Sequence, residues 1–156
     1  MKLIRTTKAK LLFQLEKREK ALLLDVLRLY PRIPSAYQPL SKRANVPDPQ
    51  SSQRLLDEAL AEQRAENKKR LRTFLEAPSR FQDNEAGFRL ALTPAEADWL
   101  LQILNDIRVG SWVILGSPEP KAELRLLNER TAPQFWAMEM SGYFQMSLLE
   151  GIEGKS

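Results

Sequence analysis

The chain contains no cysteine and no histidine. Without cysteine there is no disulfide, no thiolate nucleophile and no thiol redox switch. Without histidine the commonest general base at neutral pH is gone, along with the commonest transition-metal ligand and every Ser-His or Cys-His arrangement. Zinc, copper and haem sites of the usual kinds need one of these two residues, so neither a metal nor a cofactor is expected. Six glycines leave little for dinucleotide binding. Glycine-rich phosphate loops, nucleophile elbows, EF-hand-like acidic loops and carboxylates paired at metal-ligand spacing are all missing. No apolar run approaches the length of a membrane span, and Leu11 to Phe13 is too short for a signal-peptide core. These absences point to a cytoplasmic protein with no membrane contact and lower the expectation of an enzyme. An enzyme built on carboxylates alone would have Asp98 and Asp106 as the first groups to test.

What is present is enough for one domain over residues 1–156 with a real core. The apolar share of 43% is ordinary for a folded protein and the 28% charged share slightly high. The net charge of +4 is unevenly spread: residues 1–20 hold seven Lys/Arg against Glu16 and Glu19, while from Thr93 onward acids outnumber bases. Such asymmetry can steer an acidic partner or promote self-association, or it can be an ordinary solvated surface.

Periodicity gives a mainly α, α+β reading. Lys2 to Thr6 and Lys10 to Leu15 alternate polar and apolar residues around a short turn and read as a β-hairpin. A helix from Glu16 or Lys17 to Leu29 buries Leu22, Leu23, Val26 and Leu27, and Pro31 and Pro34 end it. Residues 31–50 hold five prolines and read as an extended connection. Asp48-Pro49 opens a second helix running to about Ala77, with a core face at Leu55, Leu56, Ala59 and Leu60 and a highly charged stretch from Arg64 to Arg72. Residues 78–87 read as loop and Phe88 to Leu92 as a strand. A third helix runs from Pro94 to Leu115, a short element lies within Ala122 to Leu127, and a last helix spans Pro133 to Glu150.

The stretch RLALTPAEADWLLQILNDIRVG, from Arg89 to Gly110, is the most informative. Thr93 suits the N-cap, Pro94 the first helical position, and Glu96 closes a capping box. Leu100, Ile103, Leu104 and Ile107 form one buried stripe. The segment also echoes the front of the chain. Leu12-Phe13-Gln14-Leu15 followed by Glu19, Leu22, Leu23, Leu24, Val26 and Leu27 matches Arg89-Leu90-Ala91-Leu92 followed by Glu96, Trp99, Leu100, Leu101, Ile103 and Leu104 at one constant offset. The match suggests that the hairpin and the 88–92 strand share a small antiparallel sheet with helices on one face.

Three clusters are candidate sites. Asn105 and Arg108 share a helical face with Asp106 to one side; such a trio forms either a half-buried network that fixes helix packing or a contact patch for a ligand or partner. Arg64, Lys68 and Arg72 are spaced four apart and, with Lys8, Lys10, Lys17 and Arg18, are the nucleic-acid candidates. Interleaved Glu58, Glu62, Glu66 and Glu76 make the helical row equally an ion-paired solvated face, and hairpin lysines also block edge pairing. The last helix is apolar on nearly all sides, so Trp136, Met140, Tyr143 and Phe144 are either core or a surface for a protein partner; a homodimer interface satisfies both.

Leu92, Glu96, Ala97, Trp99, Leu100, Leu104, Asn105, Asp106, Arg108 and Gly110, together with Pro34-Ser35-Ala36-Tyr37, resemble an uncharacterised bacterial domain-of-unknown-function family related to the actinomycete oxidative-stress regulator. The resemblance implies a predominantly helical protein in a bacterial cytosol. Those relatives are regulated through a cysteine pair and partnered in transcription. This chain lacks the cysteines, and Arg108-Val109-Gly110-Ser111 departs from the family pattern. Only Asn105, Asp106 and Arg108 carry over, as signature positions without a role. The expectation is a non-enzymatic regulatory or adaptor protein working through protein–protein contacts; the alternative is a transcription-linked nucleic-acid binder using the basic N-terminal half.

Overall fold

In the computed structural model, residues 1–34 and 49–153 are described. Alternating burial in Leu11–Leu15 places Leu11, Phe13 and Leu15 on one face of a strand, which pairs with the preceding strand as a hairpin. These are β1 (Lys2–Thr6) and β2 (Leu11–Leu15). Helix α1 (Lys17–Leu27) follows directly, its entry fixed by the Glu19 carboxylate accepting from the Glu16 amide at 2.9 Å. It stops two residues earlier than its apolar spacing predicts. Helix α2 (Pro49–Glu76) begins at the expected proline. Next come β3 (Phe81–Asn84) and β4 (Gly87–Leu92), then α3 (Pro94–Ile114) behind the Thr93/Glu96 capping box. A single 3-10 turn at Pro120–Ala122 leads into the short α4 (Glu123–Leu126), and α5 (Ala132–Ile152) ends the described chain.

The fold is α+β: an antiparallel sheet of order β1-β2-β4-β3 with helices against one face. The fourth strand, β3, falls where the sequence reads as loop. Its residues, Phe-Gln-Asp-Asn, carry no apolar alternation; pairing with β4 through Phe81↔Leu90 and Gln82↔Arg89 defines it as a strand. The two central strands pair in the register Leu11↔Leu92, Phe13↔Leu90 and Leu15↔Phe88. Their inward side chains meet Leu23, Val26 and Leu27 of α1, Leu100, Ile103, Leu104 and Ile107 of α3, and Ala137, Phe144 and Leu148 of α5 in one core.

The sequence echo is a real internal two-fold. The offset that carries Phe13 onto its own pairing partner Leu90 also carries Leu11 onto Phe88, Leu15 onto Leu92 and Glu19 onto Glu96. It carries α1 onto the first half of α3, with Leu23 on Leu100 and Leu27 on Leu104. It also carries α2 onto α5: Leu71 falls on Leu148, Asn67 on Phe144, Arg64 on Ser141 and Leu60 on Ala137. The chain is thus a ββα unit used twice, each followed by a helix that the same offset aligns in sequence, and the pseudo-axis passes through the Phe13–Leu90 pair.

The copies differ where α1 stops at Leu27 and α3 continues to Ile114. Helix α5 therefore packs along α3, in the most extensive helix pair among the described residues, whereas α2 meets the core near its C-terminus, through Leu71 and Phe74 with Leu75 packed against it. The expected core face in the first half of α2 is corrected accordingly. Leu55 is 66% exposed and Ala59 is exposed, because among the described residues no counterpart of the second half of α3 lies beside them.

Candidate functional site

The polar residues of α3 do two different things. Asp106 accepts two backbone hydrogen bonds at Oδ1, from the Arg32 nitrogen at 2.7 Å and the Ile33 nitrogen at 3.3 Å. One turn on, Ser111 accepts from Arg32 Nε at 3.0 Å while donating to the Ile107 carbonyl at 2.7 Å. Between them Gly110 presents bare backbone to the same segment: a Cβ there would stand 2.3 Å from the Arg32 carbonyl carbon. From the other side Arg64 donates to the Ile33 carbonyl at 2.7 Å. The strap Tyr30–Pro34 is therefore clamped between α3 and α2, and Asp106 is a structural acceptor within that clamp. Asn105 and Arg108 face solvent, with Arg108 donating to Asn105 Oδ1 at 3.4 Å.

Beside the clamp, Asn67 joins three elements. Its Oδ1 accepts from Trp99 Nε1 and its Nδ2 donates to Tyr30 Oη, both at 3.1 Å. Burial pushes the Tyr30 phenol above its ordinary value; the Asn67 hydrogen bond and Arg64 pull it back, while Asp106 pushes it further up. Arg70 stacks 4.4 Å over Trp99, and Arg80 pairs with Glu96 at 2.7 Å. Asn67 and Arg32 were not singled out in the sequence, and Gly110 and Ser111 were named there only through the family resemblance; their partners are too distant along the chain for local pattern to reveal.

Helix α5 divides into an inner and an outer face. Phe144 is fully buried and Met140 packs against the core, so both leave the set of surface candidates: Phe144 is shielded from any partner by the sheet and helices around it. Trp136 and Tyr143 stay on the surface. They are joined by Met146, Leu149 and Ile152, with exposures from 36% to 59%, and by the exposed Glu139 and Glu150. More than half of the large apolar side chains exposed among the described residues thus sit on this one helix. The Tyr143 hydroxyl donates to Glu19 Oε2 at 2.6 Å, fixing α5 against α1.

The basic candidates do not converge. Lys8 and Lys10 sit at the hairpin end of β2, and Lys17 and Arg18 follow its other end, about 16 Å away for a five-residue strand. Lys68 and Arg72 line a third place, an open cleft between α2 and the end of α1 with Leu27, Tyr30, Leu71 and Leu75. Arg64 is turned into the strap clamp instead. Asp98 is exposed, and Asp106 is occupied by two amides. Among the described residues no three acidic groups gather to hold a metal ion, and no helix is long and apolar enough to cross a membrane. Pro34 ends the first described segment, and Ser35, Ala36 and Tyr37 lie outside the described residues.

Comparison with known proteins gives no matching family model, no matching curated protein and no matching solved structure.

Proposed function

We propose that this is a non-enzymatic regulatory or adaptor protein that captures a protein partner on the outer face of α5. The observation that carries the reading is the row Trp136, Tyr143, Met146 and Leu149 on solvent. Each of the four is already about half buried. Covering the rest is favourable by half of the about 1.5–3 kcal/mol that full burial of such a side chain brings, and a methionine-containing surface re-packs readily around a partner helix. Glu139 and Glu150 lie within the same stripe, three residues after Trp136 and four after Met146, and favour a partner that offers basic residues among its apolar ones. The resemblance of the 92–110 stretch to a family of bacterial regulators belongs to this reading, as does a cytoplasmic setting.

The test is capture from a bacterial lysate by the tagged chain, with and without nuclease, comparing wild type with Trp136→Ala/Tyr143→Ala and with Met146→Glu/Leu149→Glu. Proteins retained through nuclease and lost with both variants, at unchanged circular dichroism, support the reading. Capture that disappears with nuclease, or that ignores both variants, refutes it. Nucleic-acid binding is less supported by the geometry because its basic candidates lie in three separate places; that alternative requires affinity falling steeply with salt.

A further inference from the structure

The internal two-fold exposes a difference between α2 and α5 that bears on assembly. Gln134, Met138, Gly142 and Gln145 form one flank of α5, and all four are half-buried in the fold. The offset that aligns α2 with α5 in sequence places Asp57, Ala61, Ala65 and Lys68 of α2 at the same positions, and all four are exposed. The helices α1 and α3 that precede α2 and α5 in the two units also differ in length. With 11 residues α1 is about 16 Å long, while the 21 residues of α3 extend about 31 Å. The flank of α2 is thus more open to solvent than its counterpart on α5.

We propose that this flank is a self-complementary seam on which α2 of a second copy packs antiparallel. Asp57 and Lys68 lie three helical turns apart on one side of α2, with Ala61 and Ala65 between them. A two-fold axis midway between them sets Asp57 against the partner's Lys68 and Lys68 against the partner's Asp57. The alanines then meet at the crossing, where small side chains let two helix backbones approach closely. A parallel pair would set Asp57 against the partner's Asp57 and Lys68 against the partner's Lys68, so the charge pattern selects the antiparallel arrangement. It also selects a second copy over an unrelated helix, because the complement of the pattern is the pattern itself, as an isologous contact requires.

Leu60, Leu71 and Leu75 border the seam. Arg64 lines the same patch, with its guanidinium bonded to the Ile33 carbonyl. Arg54 and Arg72 are the like charges this register brings closest; both are exposed, and Glu58 lies one turn from Arg54. The seam uses a different helix from the partner face proposed on α5.

Sedimentation velocity on the full chain tests the proposal at low salt and over a range reaching about 100 µM, where micromolar affinities are read directly. The expected result is a reversible monomer–dimer equilibrium. Asp57→Lys and Lys68→Glu should each weaken it by at least about tenfold, since every reversal places two like-charge contacts across the axis. The double variant Asp57→Lys/Lys68→Glu should restore it. Both residues are exposed, so the fold is expected to survive; circular dichroism checks this, and Asp57→Asn with Lys68→Gln supplies a neutral pair for the same comparison. A wild type monomeric at every concentration overturns the proposal. So does a dimer indifferent to single reversals, or a double variant no better than either single. Met146→Glu/Leu149→Glu should leave the dimer intact, so failure of the seam and failure of the α5 reading are separately visible.

Discussion

Asp106 Oδ1 on α3 lies 2.7 Å from the backbone nitrogen of Arg32, so a mid-helix carboxylate holds a segment that follows a different helix. It satisfies two amides of an irregular strap that has no ladder of its own to pair with. Asp106→Ala leaves both amides without that acceptor and should cost about 1–3 kcal/mol. Asp106→Asn keeps a carbonyl acceptor and should cost less. Urea unfolding measures both; equal losses for the two variants would mean that the charge, and not the acceptor, is what matters.

Gly110 should be less tolerant still. A Cβ there meets the Arg32 carbonyl carbon, the Arg32 oxygen and the Ile33 nitrogen at 2.3–2.5 Å, all backbone atoms fixed by the clamp. Gly110→Ala is expected to cost about 3 kcal/mol through forced displacement of the strap, against the small gain alanine gives at an open helical site. A stability equal to wild type in urea would show that the strap yields freely.

Asn67 should behave as the bolt between α2 and the rest of the fold. Asn67→Leu keeps the volume but strands the Trp99 N–H and the Tyr30 hydroxyl, a loss of about 2 kcal/mol. The raised Tyr30 phenol adds a pH signature. Its contribution to stability is complete below the unfolded value of 10.0 and is lost as pH climbs from there through the higher folded value. Tyr30→Phe should therefore remove part of the alkaline decline in stability above pH 10. Parallel alkaline limbs for the two proteins would show that the phenol is not responsible.

Much of this fold was legible because its signals are local. Thr93, Pro94 and Glu96 announce the start of α3 within four residues, and Leu100, Ile103, Leu104 and Ile107 announce its buried side. The roles of Asp106 and Asn67 were not legible: their partners lie 73 and 32 residues away or more, in segments with no shared period. Periodicity also misled in α2. Leu55, Leu56, Ala59 and Leu60 do share a side of the helix, but spacing reports which residues share a face and not whether a neighbour covers it, and here α1 ends at Leu27. Strand β3 escaped because an edge strand is defined by its pairing with β4 and needs no apolar alternation of its own.

The two faces of α5 should separate cleanly in stability. Phe144→Ala removes a fully buried ring that packs edge-on to Tyr143, 5.1 Å between centroids, and should cost about 3–5 kcal/mol. Met146→Ala, two residues on and 59% exposed, should stay within about 0.5 kcal/mol of wild type. Thermal melts of both variants decide this, and a large loss at Met146 would place the outer face in the core.

Glu96 should set part of the acid limit. Burial by itself would raise its carboxyl, but the hydrogen bond from the Thr93 amide and the paired Arg80 outweigh that and hold it below its ordinary value of 4.5. A carboxylate held down in this way stabilises the fold fully above the unfolded value, and the contribution drains as pH falls from 4.5 through the lower folded value. Both side chains of the Arg80–Glu96 pair are largely shielded, at 25% and 20% exposure, so the pair is screened less than an open surface bridge. Glu96→Gln retains a capping side chain but not the charge. It should be about 1–2 kcal/mol less stable than wild type at pH 7, and the two stability curves should converge below about pH 4 as wild type takes up the proton. Curves that stay parallel down to pH 3 would mean that Glu96 contributes through its cap geometry alone and that the Arg80 pairing adds no stability.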